Sequence, residues 1–183
     1  MKYLILNGNP NDENHHFDDF LVNFSEELNK RGNNSKIVTL RSRKIASCTG
    51  CFKCWIKTPG ECVIADDARE IAREYINADM VILSSPLILG YFSALMKKTL
   101  DRSIPVIHPH LEEVDGEVHH RKRYDSYPSA GIILEKEADT DEEDIDIAKD
   151  LFERMCLNMR TDLKFIAYTD QSLEEVLNAA DIS

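Results

Sequence analysis

Five short apolar runs mark the chain, separated by segments with helical spacing. Lys2–Leu6 runs into the turn-forming Asn7-Gly8-Asn9-Pro10 and reads as a buried strand. Phe17, Phe20, Leu21, Phe24 and Leu28 then recur on one helical face, and Gly32 stands where a helix stops. Ile37–Leu40 reads as a second strand. Asp66 is placed to cap a helix carrying Ile71, Ala72, Tyr75 and Ile76 on one side. Met80–Leu83 is a third strand, ended by Ser84-Ser85-Pro86, and Tyr91–Arg102 reads as a helix. Pro105–Pro128, rich in His and charge, reads as irregular. Ala130–Leu134 is a fourth strand. Ile145, Ala148, Leu151, Phe152, Met155 and Met159 mark another helix, Leu163–Tyr168 a fifth strand, and Leu173–Ala180 a short last helix.

The strands are continuously apolar and alternate with helices, the pattern of a parallel sheet covered on both faces. The expected class is α/β, a doubly wound, flavodoxin-like five-stranded parallel sheet in the order 2-1-3-4-5. Residues 1–183 read as one domain, with a cysteine-rich loop at 47–63 and an irregular His-rich loop at 105–128. Ligands of such sheets bind beyond the carboxyl ends of the strands, at the switch point. Here that means Asn7–His16, Ser84–Phe92 and the segment after Leu134. The cysteine loop, following strand two, is expected over the same edge.

Charge narrows the partners. The chain carries 33 acids against 22 bases, a net charge of −11. That argues against nucleic acid or an anionic membrane surface as a main partner. No apolar run approaches the ~18 residues of a membrane span, and the N-terminal run is too short for a signal sequence. The expected location is cytoplasmic, where thiols stay reduced.

Candidate chemistry falls in four places. Asn9, Pro10, Asn11, Asn14, His15, His16 and Phe17 lead into a helix N-terminus, which suits an anion, although Asp12, Glu13, Asp18 and Asp19 crowd the same stretch. No G-x-G-x-x-G or Walker pattern occurs, which disfavours those nucleotide-binding folds. Pro86, Leu87, Ile88, Leu89 and Gly90, with Tyr91 and Phe92, form an apolar lip where a polar loop is normal, a surface for a flat aromatic ligand. Cys48, Cys51, Cys54 and Cys62 follow C-x2-C-x2-C-x7-C. Compact thiols of this kind suit an iron–sulfur cluster better than zinc, and reduced packing or redox-sensing thiols are the alternative. Cys156 falls on an apolar helix face and reads as core. His108, His110, His119 and His120 share one loop, a weak metal signal that suits a substrate mouth or a subunit contact better.

Three stretches carry a resemblance. The order strand, S-P-x-x-x-G, x-x-S-A-x-x-K, x-x-x-D-R at Ser85–Arg102 resembles flavodoxin-fold NAD(P)H-dependent FMN reductases. The segment C-x-G-C-x-x-C-W-x-x-T-P-G-x-C followed by D-D is similar to the same family, close to its iron–sulfur flavoprotein branch, and Gly116–Pro128 resembles its loop before the fourth strand. The resemblance implies FMN at the switch point, its phosphate on the Asn9–Phe17 loop and its ring against Pro86–Gly90. It implies NAD(P)H as co-substrate, a quinone, flavin or other small acceptor, and a dimer or tetramer. It also implies a [4Fe-4S] cluster on the four clustered cysteines as one alternative, and a flavin-free binding module is the other. The family's G-S-P-R is here G-N-P-N, so Asn11 stands where an arginine meets the phosphate.

Overall fold

The computed structural model describes residues 1–180; residues 181–183 of the expected domain lie outside the described residues. Its elements in order are β1 (Lys2–Asn7), α1 (His15–Lys30), β2 (Asn34–Thr39), α2 (Lys53–Ile56), α3 (Ala68–Ile76), β3 (Met80–Ile88) and β4 (Tyr91–Phe92). They continue with α4 (Ala94–Asp101), β5 (Ile107–Val114), β6 (Glu117–Lys122), β7 (Ser129–Glu135), α5 (Glu142–Asn158), β8 (Leu163–Tyr168) and α6 (Leu173–Ala179).

The main sheet runs β2-β1-β3-β7-β8, all parallel. These are the five expected strands in the expected order. Because successive side chains point to opposite faces, β1 sends Leu4 and Leu6 into one core and Tyr3 and Ile5 into the other. The first core is covered by Ala68, Ile71 and Tyr75 of α3, Met96 of α4 and Ala148 and Phe152 of α5. The second is covered by Phe17, Leu21, Phe24 and Leu28 of α1 and Val176 and Leu177 of α6. Gly131 lets Phe165 pass over β7, because a Cβ there would lie 2.3 Å from the ring.

Two expectations are corrected. The helix expected over Tyr91–Arg102 begins at Ala94, since β3 extends through Pro86 to Ile88 and turns back at Leu89-Gly90 into β4. Both turn residues have positive φ, +50° and +72°, the conformation of a two-residue hairpin loop. Pro86 is tolerated in the ladder because β1 ends at the Asn7–Ser84 pair, leaving only β7 beside it. Likewise, Pro105–Pro128 is not irregular throughout. It holds the antiparallel hairpin β5–β6, turned at Asp115-Gly116 with φ of +52° and +82°.

Candidate functional site

The carboxyl ends of β1, β3 and β7 bring together the first loop, the apolar lip and the segment after Leu134. Gly8 lies so close to its neighbours that a Cβ would sit 2.9 Å from Met96 Cβ and 3.0 Å from Ser84 O. Ser93, fully buried, stitches the edge together: its N–H donates to Ser85 Oγ at 2.9 Å and its Oγ to Gly8 O at 2.6 Å, while also capping α4.

The first loop is a chain of asparagine turns. The Oδ1 atoms of Asn7, Asn9, Asn11 and Asn14 accept from the N–H groups of Asn9, Asn11, Glu13 and Phe17 at 2.9–3.3 Å. Gly8, Asn14 and His15 donate their N–H groups to Ser84 O, Asn11 O and Glu13 O. The side chains are engaged too. Asp18 accepts from Asn7 Nδ2 at 2.7 Å, Asn9 Nδ2 at 3.1 Å and both terminal nitrogens of Arg41. Burial works to raise the Asp18 carboxyl, but bonds from Arg41, Asn7 and Asn9 outweigh it and hold it below the usual carboxylate range. Pro10, Asn11, His15 and His16 are exposed, Asn14 is half-buried, and Asn9 and Phe17 are buried, Phe17 within the second core.

Only part of the expected lip faces outward. Leu87 and Phe92 are buried, and Phe92 stacks on Phe152 at 4.2 Å between centroids. Tyr91 is half-buried beside both rings. Pro86 is half-buried, Ile88 is exposed, and Leu89, at 93% exposure, stands at the tip with Gly90. Beside Pro86 in the ladder lies Glu135, the last residue of β7. Its Oε2 accepts from Asn14 Nδ2 at 2.6 Å and its Oε1 lies 3.5 Å from His16 Nδ1. Glu135 thus bridges the first loop and the lip.

The cysteines lie elsewhere. Their loop is pinched shut at its base, where Asp67 Oδ2 accepts from Lys44 N–H and Asp66 Oδ2 from Ala46 N–H. The N-cap position of α3 falls to Asp67 rather than the expected Asp66, whose main partner is Arg102. Cys48, Cys51, Cys54 and Cys62 all line one pocket, so Cys62 folds back to the other three. That pocket borders Arg102, Ile104 and Pro105, beyond the C-terminal end of α4. The lip precedes the N-terminus of the same helix, whose eight residues span about 12 Å. The loop expected over the ligand edge thus carries its cysteines toward the other end of α4. Burial and the neighbouring Cys62 push the Cys54 thiol up, while the Lys53 backbone N–H and the Thr49 side chain lower that of Cys51.

The donor set is right for an iron–sulfur cluster: four cysteines around one pocket. Among the described residues no group of three or more His, Cys, Asp or Glu is arranged to hold a metal ion. The histidines do not converge. His119 is buried between Asn158 Oδ1 at 3.2 Å and Glu117 Oε2 at 3.1 Å. The His120 ring lies tilted against Trp55 at 5.0 Å between centroids, and His108 lies tilted against His110 at 4.7 Å.

For FMN the two halves of the edge differ. The lip, with its projecting apolar tip, suits a flat ring. The first loop is a poor fit for a phosphate as it stands, because most of its N–H and amide groups already serve carbonyls, amide oxygens and carboxylates, and Asp18 and Glu135 stand beside them. Glu135 and Arg41 are the residues that sequence reasoning missed here, and Asp18 was read only as an acid crowding the loop. Glu135 could have been found as the first residue after the fourth strand, the position a switch-point argument marks.

Comparison with known proteins agrees with this architecture. Residues 1–122 match the profile of the NADPH-dependent FMN reductase family, and the chain belongs to that family. An iron–sulfur flavoprotein of Archaeoglobus fulgidus is 32% identical over 103 residues, covering 56% of this chain and 49% of that protein. One from Methanocaldococcus jannaschii is 35% identical over 109 residues, covering 58% and 53%. The chain spans about half the length of these curated relatives. An NAD(P)H:quinone oxidoreductase from Methanothermobacter marburgensis superposes over 99% of this chain and 96% of its own, at 18% identity and a TM-score of 0.67. An FMN-dependent NADH-azoreductase from Bacillus anthracis, in complex with FMN, covers 99% and 95% at 14% identity and a TM-score of 0.65. At these identities the two structures establish the flavodoxin-like fold. Among the described residues no helix is long and apolar enough to cross a membrane.

Proposed function

We propose that the chain is a flavin-dependent oxidoreductase, taking electrons from NAD(P)H and passing them to a quinone, a flavin or another small acceptor. The family points to FMN as the flavin. The observation that carries the reading is the projecting tip Ile88-Leu89-Gly90 at the carboxyl end of β3, inside a chain of this family. Bound there, a flavin supplies the two-electron chemistry, and the protein supplies position and electrostatics. The β3–β4 turn presents Ile88 and Leu89 to a ring. Ser85 and Ser93 hold that turn against Gly8. Glu135, Asn14 and His16 would flank the ligand's polar tail. Asn9, Asn11 and Phe17 shape the loop beneath it.

The reading takes residues 1–183 as one working unit, in the cytoplasm, as a homo-oligomer. Its test is anaerobic incubation of the folded chain with flavin, then NADH or NADPH. Retention of the visible flavin band through gel filtration, and its bleaching by the nicotinamide, are the expected results. A folded chain that retains no flavin would instead be a flavin-free binding module.

The shared cysteine pocket favours a second reading, an electron carrier holding FMN and a [4Fe-4S] cluster on Cys48, Cys51, Cys54 and Cys62. Iron and sulfide analysis after anaerobic purification separates the two. Under the second reading Cys62→Ser loses iron and keeps flavin; under the first, iron is absent throughout.

A further inference from the structure

Glu135 stands where a flavin's tail would have to run. Its strand neighbour is Pro86 on the ring side, and its carboxylate holds Asn14 and approaches His16 on the loop side. Asn14 and His16 are two of the residues expected to meet a phosphate, and both already face this carboxylate. The second anion of the loop, Asp18, gathers Asn7, Asn9 and Arg41. Arg41 is the cation bonded into this loop, donating to Asn9 O and Asp18. The asparagine turns engage the N–H groups of Asn9, Asn11, Glu13 and Phe17 as well. A phosphate entering here would have to sit against two carboxylates. A hydroxyl would not meet that obstacle. Hydroxyls donate to carboxylates, and Glu135, at 24% exposure, keeps accepting capacity on Oε1.

We infer that this chain selects a flavin whose ribityl chain ends in a hydroxyl over one ending in a phosphate, and that Glu135 sets the preference. The inference rests on the flavin reading above and names the ligand class for that site. It departs from the phosphate contact that the family resemblance implies for Asn9–Phe17. Glu135 acts here as a specificity residue, with no part in electron transfer.

The test is a pair of titrations of the chain, with riboflavin and with FMN, followed by equilibrium dialysis in low-salt buffer. Riboflavin should bind about tenfold or more tightly than FMN, and added salt should narrow the gap. Glu135→Gln keeps an acceptor for Asn14 while removing the charge. It should bring FMN to within about threefold of riboflavin, raising FMN affinity and lowering that of riboflavin, whose hydroxyl loses a charged acceptor. Circular dichroism confirms that the variant is folded. FMN binding as tightly as riboflavin to the unaltered chain overturns the inference, and so does a gap that Glu135→Gln leaves intact. If neither flavin binds, the flavin reading itself fails and the inference with it. If FMN alone binds, the flavin reading stands and this inference falls.

Discussion

Arg102 grips Asp66 with both ends of its guanidinium, Nη1 to Oδ2 and Nη2 to Oδ1, each at 2.8 Å, with the two side chains 1% and 5% exposed. The same guanidinium donates to Ala46 O at 2.8 Å and Ile64 O at 3.3 Å. One pair thus fastens both ends of the cysteine loop to the end of α4. Asp66→Ala leaves a buried cation without its counter-charge and should cost about 3–5 kcal/mol, read as a fall in the urea midpoint at constant slope.

The same pair makes the fold acid-sensitive. Burial works to raise the Asp66 carboxyl, but bonds from Arg102 and Ala46 outweigh it and hold it below the usual carboxylate range. A depressed folded-state value means the stabilisation is complete above the unfolded carboxyl's pKa and drains away as pH falls through the folded one. Asp66→Asn should therefore flatten the acid side of the stability profile. An unchanged acid limb in urea titrations would assign that sensitivity to other carboxylates.

Gly131 is a packing requirement in mid-strand. An added Cβ would lie 2.3 and 2.5 Å from Phe165 ring carbons and 2.9 Å from Ile82 Cδ1. Gly131→Ala should cost about 1–3 kcal/mol through overpacking, and Phe165→Leu in the same chain should recover part of it. Additive losses in the double variant would refute the contact as the cause.

The sheet order was legible because it follows from apolar runs whose environment is uniform: each central strand is buried on both faces. What sequence missed is set by local chirality and long-range pairing. Asp115-Gly116 is a two-residue turn signal between Val114 and Glu117, yet the charge of the flanking strands hid the hairpin. Leu89 adopts positive φ, which leucine rarely does, so periodicity alone extended the α4 helix back to Tyr91. At the candidate site, the asparagine-rich loop was visible as polar, but not as self-satisfied. Its partners Arg41 and Glu135 come from β2's end and β7, and no spacing rule links them to Asn14 or Asp18. The cysteine spacing allowed a common pocket without requiring one, and its distance from the lip depended on where Arg102 anchors the loop.

Trp55, the single tryptophan, reports on the docking of the hairpin. Its Nε1 donates to Ile104 O at 3.2 Å and Ile107 O at 3.1 Å, and its ring meets His120 of β6. Arg123 Nη2 also donates to Ile107 O, at 3.2 Å, so that carbonyl keeps a partner without the indole. Trp55→Phe should then cost only about 1 kcal/mol from lost hydrogen bonding. In the unaltered chain, the tryptophan emission should shift red at the main unfolding transition. A red shift at lower denaturant than the circular dichroism change would mean that the hairpin undocks on its own.

The cysteines should differ in reactivity. Cys51 is exposed, and the Lys53 N–H, then the Thr49 side chain, lower its thiol below the ordinary value. Cys54 is buried and raised by that burial and by Cys62. Burial pushes Cys156 up to about 12. The thiolate is the nucleophile, so alkylation by iodoacetamide should label Cys51 ahead of Cys54, and Cys156 only after unfolding. Thr49→Ala removes one of the contacts that favour the Cys51 thiolate and should slow its labelling at neutral pH, with less effect at high pH where the thiolate forms anyway. Mass spectrometry of the labelled peptides reads all of these rates at once. Rapid labelling of Cys156 in the native chain would contradict its burial. Anaerobic loading with iron and sulfide adds a decisive arm. If the pocket holds a cluster, Cys48, Cys51, Cys54 and Cys62 become protected together. If only Cys54 stays slow while Cys51 reacts as before, the thiols are free and the cluster reading is lost.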